Sequence, residues 1–266
     1  MNKLEKRMLT ILQQGKAEYG IVAVKAEFEA EGTRTDELLR LLEIARRAGL
    51  GVAVKIGGCE AVRDLIECRQ YGVDYVIAPM VETPYALKKY IAAKNKVFPR
   101  DEQADIRFLF NVETRYTLDH LPEMAQIASQ GDVGFVFGRV DFAGSMDRQR
   151  DFVNSQEMVA HVRQVATTAR RYGLELVVGG GVNPDSIQPL REVRSDRLDR
   201  FETRKVVFDA AVLDGANAAL GMELAIEFEL LWLKNKRDFY SGIAAEDEAR
   251  IAMMEARQNL SVAAAA

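Results

Sequence analysis

Short β-branched and aromatic runs alternate with helix-patterned stretches along most of the chain, and this alternation limits the fold more than any other feature. Ile21–Phe28 reads as a strand and is followed by a helix from about Thr35 to Ala48. Further strands are expected at Gly51–Ile56, Val73–Met80, Ile106–Glu113, Val133–Phe137, Leu174–Val178 and Lys205–Phe208. Helical segments separate them, and a long one from Ala216 to Lys236 follows the last. Strands joined through helices are βαβ units, and their crossovers make neighbouring strands parallel. Seven repeats in 266 residues favour an α/β fold of the TIM (β/α)8-type, with parallel strands and an extended C-terminal helix, over an open sheet. Only seven strands are visible. The eighth is expected near the N-terminus, unless the N-terminal helix plugs that side. Arg191–Arg204 holds five arginines and four acids and reads as a solvated loop or helix face. No Gly/Ser linker divides the chain, so a single barrel is expected over residues 1–242, with a helical tail over 243–266.

Charge narrows the function. Lys and Arg number 36 against 40 Asp and Glu, a net charge of −4, and no basic block stands out. That argues against nucleic-acid binding led by charge. No apolar run approaches the ~18 residues of a membrane span, and the N-terminus lacks a signal-peptide core. A cytoplasmic protein with neither a membrane nor a nucleic-acid partner is expected. Cys59 and Cys68 read as reduced thiols without metal-ligand spacing. The two histidines, His120 and His161, fall in helix-like segments. Chemistry is therefore left to carboxylates, Lys, Arg and backbone.

In a barrel, functional groups gather at the C-terminal ends of the strands, and side chains two apart share a face. Lys25 and Glu27 share one, with Glu29 just beyond; Ala53, Lys55 and Gly57 share another. Asn111 pairs with Glu113 in this sense, and Phe137 with Arg139 and Asp141; Asp209 ends the last strand. A buried charge costs several kcal/mol unless paired or metal-bound, so polar residues recurring at one end of several strands point to a site there. Glu113 and Asp141 are two carboxylates without histidine, an oxygen-only set that suits Mg2+ or Mn2+. The alternative is a pair of salt-bridged acids. Lys25, Lys55 and Arg139 add positive charge that suits a small carboxylate- or phosphate-rich substrate. Lys25 alone also reads as a structural partner of Glu27. The run Gly179–Gly180–Gly181 is either an anion-binding backbone before a helix or a tight turn needing positive φ. In the first case Gly180 contacts substrate. Phe142–Ser155 is long for a strand-to-helix connection and reads as a loop able to act as a lid.

Three stretches carry a resemblance. VDYVIAPMVETPYAL at 73–87, FNVETR at 110–115 and GFVFGRVDFAGSMD at 134–147 resemble the PMVET, metal-glutamate and metal-aspartate segments of the HpcH/HpaI aldolase and citrate lyase β-subunit family. That family belongs to the phosphoenolpyruvate/pyruvate-type barrels, and the similarity runs over roughly residues 20–225. The resemblance implies a divalent-metal-dependent carbon–carbon lyase (an aldolase) that makes or breaks a bond next to a pyruvate-like 2-oxo acid through a metal-stabilised enolate. Glu113 and Asp141 would hold the metal, Lys55 would replace the family's enolate-facing arginine, and Asn111 would touch substrate. Backbone amides after Gly138 and near Gly57 would hold its carboxylate.

The departures matter. The family's histidine base falls at Ala30, so Glu27, Glu29 or a metal-bound hydroxide must replace it. A lysine in place of arginine opens a minor Schiff-base route at Lys55. Arg139 stands where members carry proline, adding a cation beside the metal. An aldehyde or phosphorylated co-substrate is compatible with this reading. The alternatives are an acyl-CoA lyase of citrate lyase β or malyl-CoA type, with Lys88, Lys89, Lys94 and Lys96 on the CoA phosphates, and a non-catalytic ligand-binding barrel. The helix AALGMELAIEFELLWL, with the sole tryptophan Trp232, is more apolar than one barrel flank requires. It is expected to pack against a second subunit in a homo-oligomer.

Overall fold

The computed structural model describes residues 1–265, with side chains through residue 259. Eight strands close into a barrel in sequence order: β1 (Ile21–Glu27), β2 (Gly51–Lys55), β3 (Tyr75–Ala78), β4 (Arg107–Val112), β5 (Gly134–Gly138), β6 (Leu176–Gly179), β7 (Arg200–Glu202) and β8 (Val206–Asp209). β1 to β7 are parallel, each joined to the next through helix. Local chemistry sets the boundaries. Thr83, Thr114 and Ser155 each accept a backbone N–H and start the helix that follows, and Gly72 and Gly173 stop two helices in the left-handed region.

Two expectations fail at the closure. The missing strand is β7, inside the mixed-charge stretch read as solvated loop or helix. Three residues, two of them charged, carry too little apolar pattern to be seen. The strand after it, β8, runs antiparallel to both β7 and β1, so the strands are not all parallel. The reason is length: only Thr203, Arg204 and Lys205 separate β7 from β8, enough for a hairpin and far short of a parallel crossover. The reversal moves Asp209 to the opposite end of the barrel. There it faces Arg200 across the pair and accepts from Ala211 N at 2.7 Å. In exchange, Glu202, Thr203 and Arg204 arrive at the mouth.

Ala23, Ala53, Ile77, Leu109, Val136, Val177 and Val207 form a buried layer inside the barrel, separate from the larger core between strands and helices. Two positions further along the same strands, the inward residues become Lys25, Lys55, Asn111, Gly138 and Gly179. The apolar layer is thus the floor beneath a polar one. The N-terminal helix Lys3–Glu18 packs between the helix Thr35–Arg47 and the C-terminal helix Ala218–Ala265. Its capping-box residue Glu5 holds Arg40 through two hydrogen bonds of 2.9 and 2.8 Å. The C-terminal helix is continuous through residues 242–243, and residues 241–259 are exposed throughout. No helix among the described residues is long and apolar enough to cross a membrane.

Candidate active site

A cavity of about 510 Å³ opens at the C-terminal ends of the parallel strands. Lys25, Glu27, Glu29, Lys55, Asn111, Glu113, Gly138, Asp141 and Gly180 all border it, so most of the sequence-derived candidates converge. A larger groove of about 750 Å³ lies between the start of the N-terminal helix and the C-terminal helix around Trp232 and Phe239. None of the inward strand residues reaches that groove; they line the smaller cavity.

Two candidates do not reach the cavity. Arg139 is buried with its guanidinium turned away from it. It donates to Gly179 O at 3.2 Å, Val153 O at 3.2 Å, Asn154 Oδ1 at 2.9 Å and Ser186 Oγ at 3.3 Å. Burial pushes it down to about 10. Parity explains the error: Val136 and Gly138 face inward on β5, so Phe137 points outward onto Phe142 (ring centroids 4.9 Å apart), and Arg139 follows Phe137. Asp141 escapes that parity because β5 ends at Gly138 and the helix Arg139–Ser145 begins at once. Gly57 is the other: its N–H is taken by Asp64 Oδ2 at 2.7 Å, and it does not border the cavity. The expected lid over Phe142–Ser155 is instead the end of that helix followed by a 3-10 helix, Arg150–Asn154. Gly180 and Gly181 take the positive φ of the tight-turn reading, +82° and +68°, and both border the cavity.

Ion pairs organise the remaining charges. Lys25 Nζ, buried, lies 2.6 Å from Glu202 Oε1 and 3.3 Å from Glu27 Oε1. Burial alone would lower the Lys25 ammonium, but the two carboxylates outweigh it and hold it above the usual lysine value. Burial pushes Glu27 up, and Lys25 and Lys55 reverse the effect, leaving it below the usual carboxylate value. Lys55 Nζ pairs with Glu29 Oε2 at 3.1 Å. Burial lowers Lys55, while Glu27, Glu113 and Glu29 together raise it further. A lysine held as ammonium has no lone pair for a Schiff base.

Glu113 differs from these acids. Oε1 accepts from Met80 N at 2.7 Å and Oε2 from Asn111 Nδ2 at 2.7 Å. Burial raises its pKa despite those donors and Lys55, and Asp141 adds to the rise. Met80 is in the left-handed region at φ +52°, a strain of about 1–3 kcal/mol for a side-chain-bearing residue, and this conformation accompanies its N–H contact with Glu113.

The donor set fits a hard dication. A Cβ built on Gly138 would lie 3.0 Å from Glu113 Oε2 and 3.9 Å from Asp141 Oδ2, so the two carboxylates face one space that a side chain would fill. Neither makes an ion pair among the described residues, which disfavours the salt-bridged alternative. Asn111 Oδ1 is buried without a partner. Six carboxylates border the cavity against four cations, an excess of two negative charges that a divalent ion offsets. No group of three or more His, Cys, Asp or Glu with ligand geometry exists among the described residues. Two carboxylates, with waters and substrate oxygens completing the shell, suffice for Mg2+.

The sequence reading missed Glu202, Arg150, Arg204, Met80 and Glu229. The PMVET stretch flagged the neighbourhood of Met80; nothing local marked the others. Of the lysines offered to CoA, Lys94 is buried on Gly131 O at 2.6 Å and Lys89 is paired with Glu60 at 2.8 Å.

Several solved structures share this architecture. The HpcH/HpaI aldolase of Desulfitobacterium hafniense DCB-2 superposes with a TM-score of 0.59 at 13% identity, over 78% of this chain and 84% of that one. An HpcH/HpaI aldolase/citrate lyase family protein of Burkholderia cenocepacia J2315 gives 0.57 at 15% identity, over 76% and 92%. A variant of the citrate synthase SbnG gives 0.56 at 13% identity, over 74% and 81%. At such identities the likeness is one of fold. No curated protein sequence matches the chain. The family model for HpcH/HpaI aldolase/citrate lyase matches residues 29–187, more than half of the sequence and both candidate metal ligands, and the chain belongs to that family of aldolase- and lyase-type enzymes.

Proposed function

We propose that this protein is a divalent-metal-dependent carbon–carbon lyase acting next to the oxo group of a pyruvate-like 2-oxo acid. One observation carries the reading: Glu113 and Asp141 face a common space at Gly138, and neither makes an ion pair among the described residues. They would hold Mg2+ or Mn2+, which supplies Lewis-acid stabilisation of negative charge on the oxo oxygen. The other steps belong to the chain's own residues. Lys55, held as an ammonium, offers a point charge to the same developing enolate. Lys25, above the apolar floor, holds Glu27 and Glu202 in place at the cavity wall. Asn111 Oδ1 is available to a substrate or water hydrogen.

With Ala30 at the position where the resemblance puts the family's histidine, the base falls to Glu27, Glu29 or a metal-bound hydroxide, and both carboxylates border the cavity. Glu27 is clamped by Lys25 and held below the usual carboxylate value, which makes it a poor proton acceptor. Glu29 is better placed: Lys55 engages Oε2, and Oε1 is left to take the proton of the aldol hydroxyl. The acyl-CoA alternative loses two of its four lysines to other contacts.

The test is deuterium exchange into the pyruvate methyl with and without Mg2+ or Mn2+. Metal-dependent exchange that Glu113→Gln and Asp141→Asn abolish supports the reading; exchange indifferent to both substitutions removes it.

A further inference from the structure

Lys205 is buried in the turn between β7 and β8, and no role falls to it in the chemistry above. Burial lowers its ammonium below the usual lysine value, although Glu31 raises it in part. A buried ammonium is costly unless it is paired, and Glu31 is the carboxylate that pairs with it. The same carboxylate accepts from Arg204 Nε at 3.1 Å. The turn that presents both cations is itself fixed. Lys205 O accepts from Lys25 N at 2.8 Å, Thr203 N donates to Val206 O at 2.9 Å, and Lys205 Nζ lies 6.0 Å from the centre of the Trp232 ring.

Glu31 lies in the loop Phe28–Arg34, which joins β1 to the helix Thr35–Arg47 without regular structure of its own. The two ends of the loop are tied down. Phe28 N donates to Lys55 O at 2.8 Å, and Thr33 bonds Glu27 O through its N–H at 3.1 Å and its hydroxyl at 2.9 Å. Between them the backbone of Glu29, Ala30, Glu31 and Gly32 makes no hydrogen bond among the described residues. Glu29 and Ala30 border the cavity. Two side-chain contacts hold this stretch: Glu29 on Lys55 at 3.1 Å, and Glu31 on the hairpin. They are unequal. The Glu29 side chain is 36% exposed, and a half-exposed pair restrains little. The Glu31 side chain is 14% exposed and its partner Lys205 3%, so this contact cannot be replaced by water.

We propose that Lys205, acting through Glu31, is a positioning residue for Glu29. The hairpin grips Glu31 and so holds the middle of the loop with the Glu29 carboxylate at the cavity wall. The inference rests on the lyase reading, in which Glu29 takes the proton of the aldol hydroxyl as the carbon–carbon bond breaks and its electron pair passes to the enolate. Returned to the enolate carbon, that proton completes the methyl group of pyruvate. Enolisation of pyruvate is this last step reversed, so deuterium exchange at the methyl reads the same carboxylate. A proton acceptor has to stand within about 2.6–3.2 Å of its target. Misplacing it by about 1 Å costs roughly a hundredfold in rate. An ion pair that only neutralises a buried lysine would leave the rate untouched in a folded variant.

The experiment measures pyruvate methyl exchange in D2O with saturating Mg2+, alongside hydrogen exchange of the Thr33 amide. The variants are Glu31→Gln and the double Lys205→Met/Glu31→Gln, which removes both charges together and so spares the fold. Each is expected to lower the rate at saturating pyruvate by about ten- to a hundredfold, with KM within about twofold of wild type. Each should also speed exchange of the Thr33 amide, because the loop is released. Added to Glu29→Gln, neither is expected to cause a further loss of rate. An unchanged rate in either folded variant, or the same fractional loss in the Glu29→Gln background, overturns the role of Lys205 and leaves the lyase reading standing. Loss of the fold in both variants does the same, since the pair is then structural. Absence of metal-dependent exchange in the wild type overturns both.

Discussion

Lys25 Nζ and Glu202 Oε1 meet at 2.6 Å across the barrel, 177 residues apart in the chain. The contact exists because β7, parallel to β6, ends with Glu202 at the mouth, and because Gly179 leaves room: a Cβ there would lie 3.0 Å from Glu202 Oε1. Glu27 completes the group on the other side of the ammonium.

Breaking this buried group is expected to destabilise the fold. Lys25→Met leaves two buried carboxylates facing each other and is expected to cost about 3–5 kcal/mol in urea unfolding. The double variant Lys25→Met/Glu202→Leu should cost less, since one uncompensated charge goes with the first. The sign of the pH dependence follows from the shifts. Lys25 is raised in the fold, so its contribution is fully present below the ordinary lysine value of about 10.4 and is lost as pH climbs through the higher folded value. Glu27 is lowered, so its contribution is present above the ordinary carboxylate value and is lost as acid titrates the folded group. Wild type and Lys25→Met should therefore converge in stability at strongly alkaline pH.

Metal binding should show in stability before any substrate is known. At a hundredfold excess over Kd, Mg2+ or Mn2+ is expected to add about 2.7 kcal/mol to the wild type, which is several degrees in Tm. Gly138→Ala should lose most of that rise, because its Cβ enters the space between Glu113 Oε2 and Asp141 Oδ2. Equal rises in wild type, Gly138→Ala and Asp141→Asn would falsify the assignment of the ion to these two acids.

Glu29→Gln should lower the rate of aldol cleavage by about 10²–10⁴-fold while leaving the metal-induced rise in Tm intact. Glu27→Gln should instead lower stability, since it removes a partner from Lys25. If Glu27→Gln slows cleavage more than Glu29→Gln at equal stability, the roles are reversed.

Arg139→Met should destabilise by about 1–3 kcal/mol, because Gly179 O and Val153 O lose a buried donor while Asn154 Oδ1 and Ser186 Oγ keep bonds from Ser186 Oγ and Asn183 N. The cost is read as a lower urea midpoint at unchanged slope.

The exposed side chains Ile226, Leu230 and Leu233 follow helical spacing along the C-terminal helix, and Ile226 also borders the cavity. We expect this stripe to be covered by a second copy of the chain. Sedimentation should show an oligomer at micromolar concentration, and Ile226→Glu/Leu230→Glu should shift it to monomer; a monomeric wild type removes the expectation.

The alternation of strand and helix and the inward parity of Lys25, Lys55, Asn111 and Glu113 are legible in the sequence, whereas Asp141 reaches the cavity only because the strand parity that groups it with Arg139 breaks at Gly138. The first two depend on residues close together in the chain, where periods of 2 and 3.6 speak directly. The PMVET stretch also marks a segment whose backbone serves the site, though nothing in it shows that Met80 turns left-handed toward Glu113. Tertiary structure decided the rest. Arg139 and Asp141 look alike two positions apart on a strand, but one buries itself against loops and the other opens into the cavity, because a strand gives way to a helix between Gly138 and Arg139. Glu202 and Arg150 come from stretches with no apolar pattern, and only closure of the barrel sets them opposite Lys25 and beside Gly181. A charged side chain takes its meaning from the groups that surround it in space, and those groups are brought together by the ring of strands rather than by neighbours in sequence.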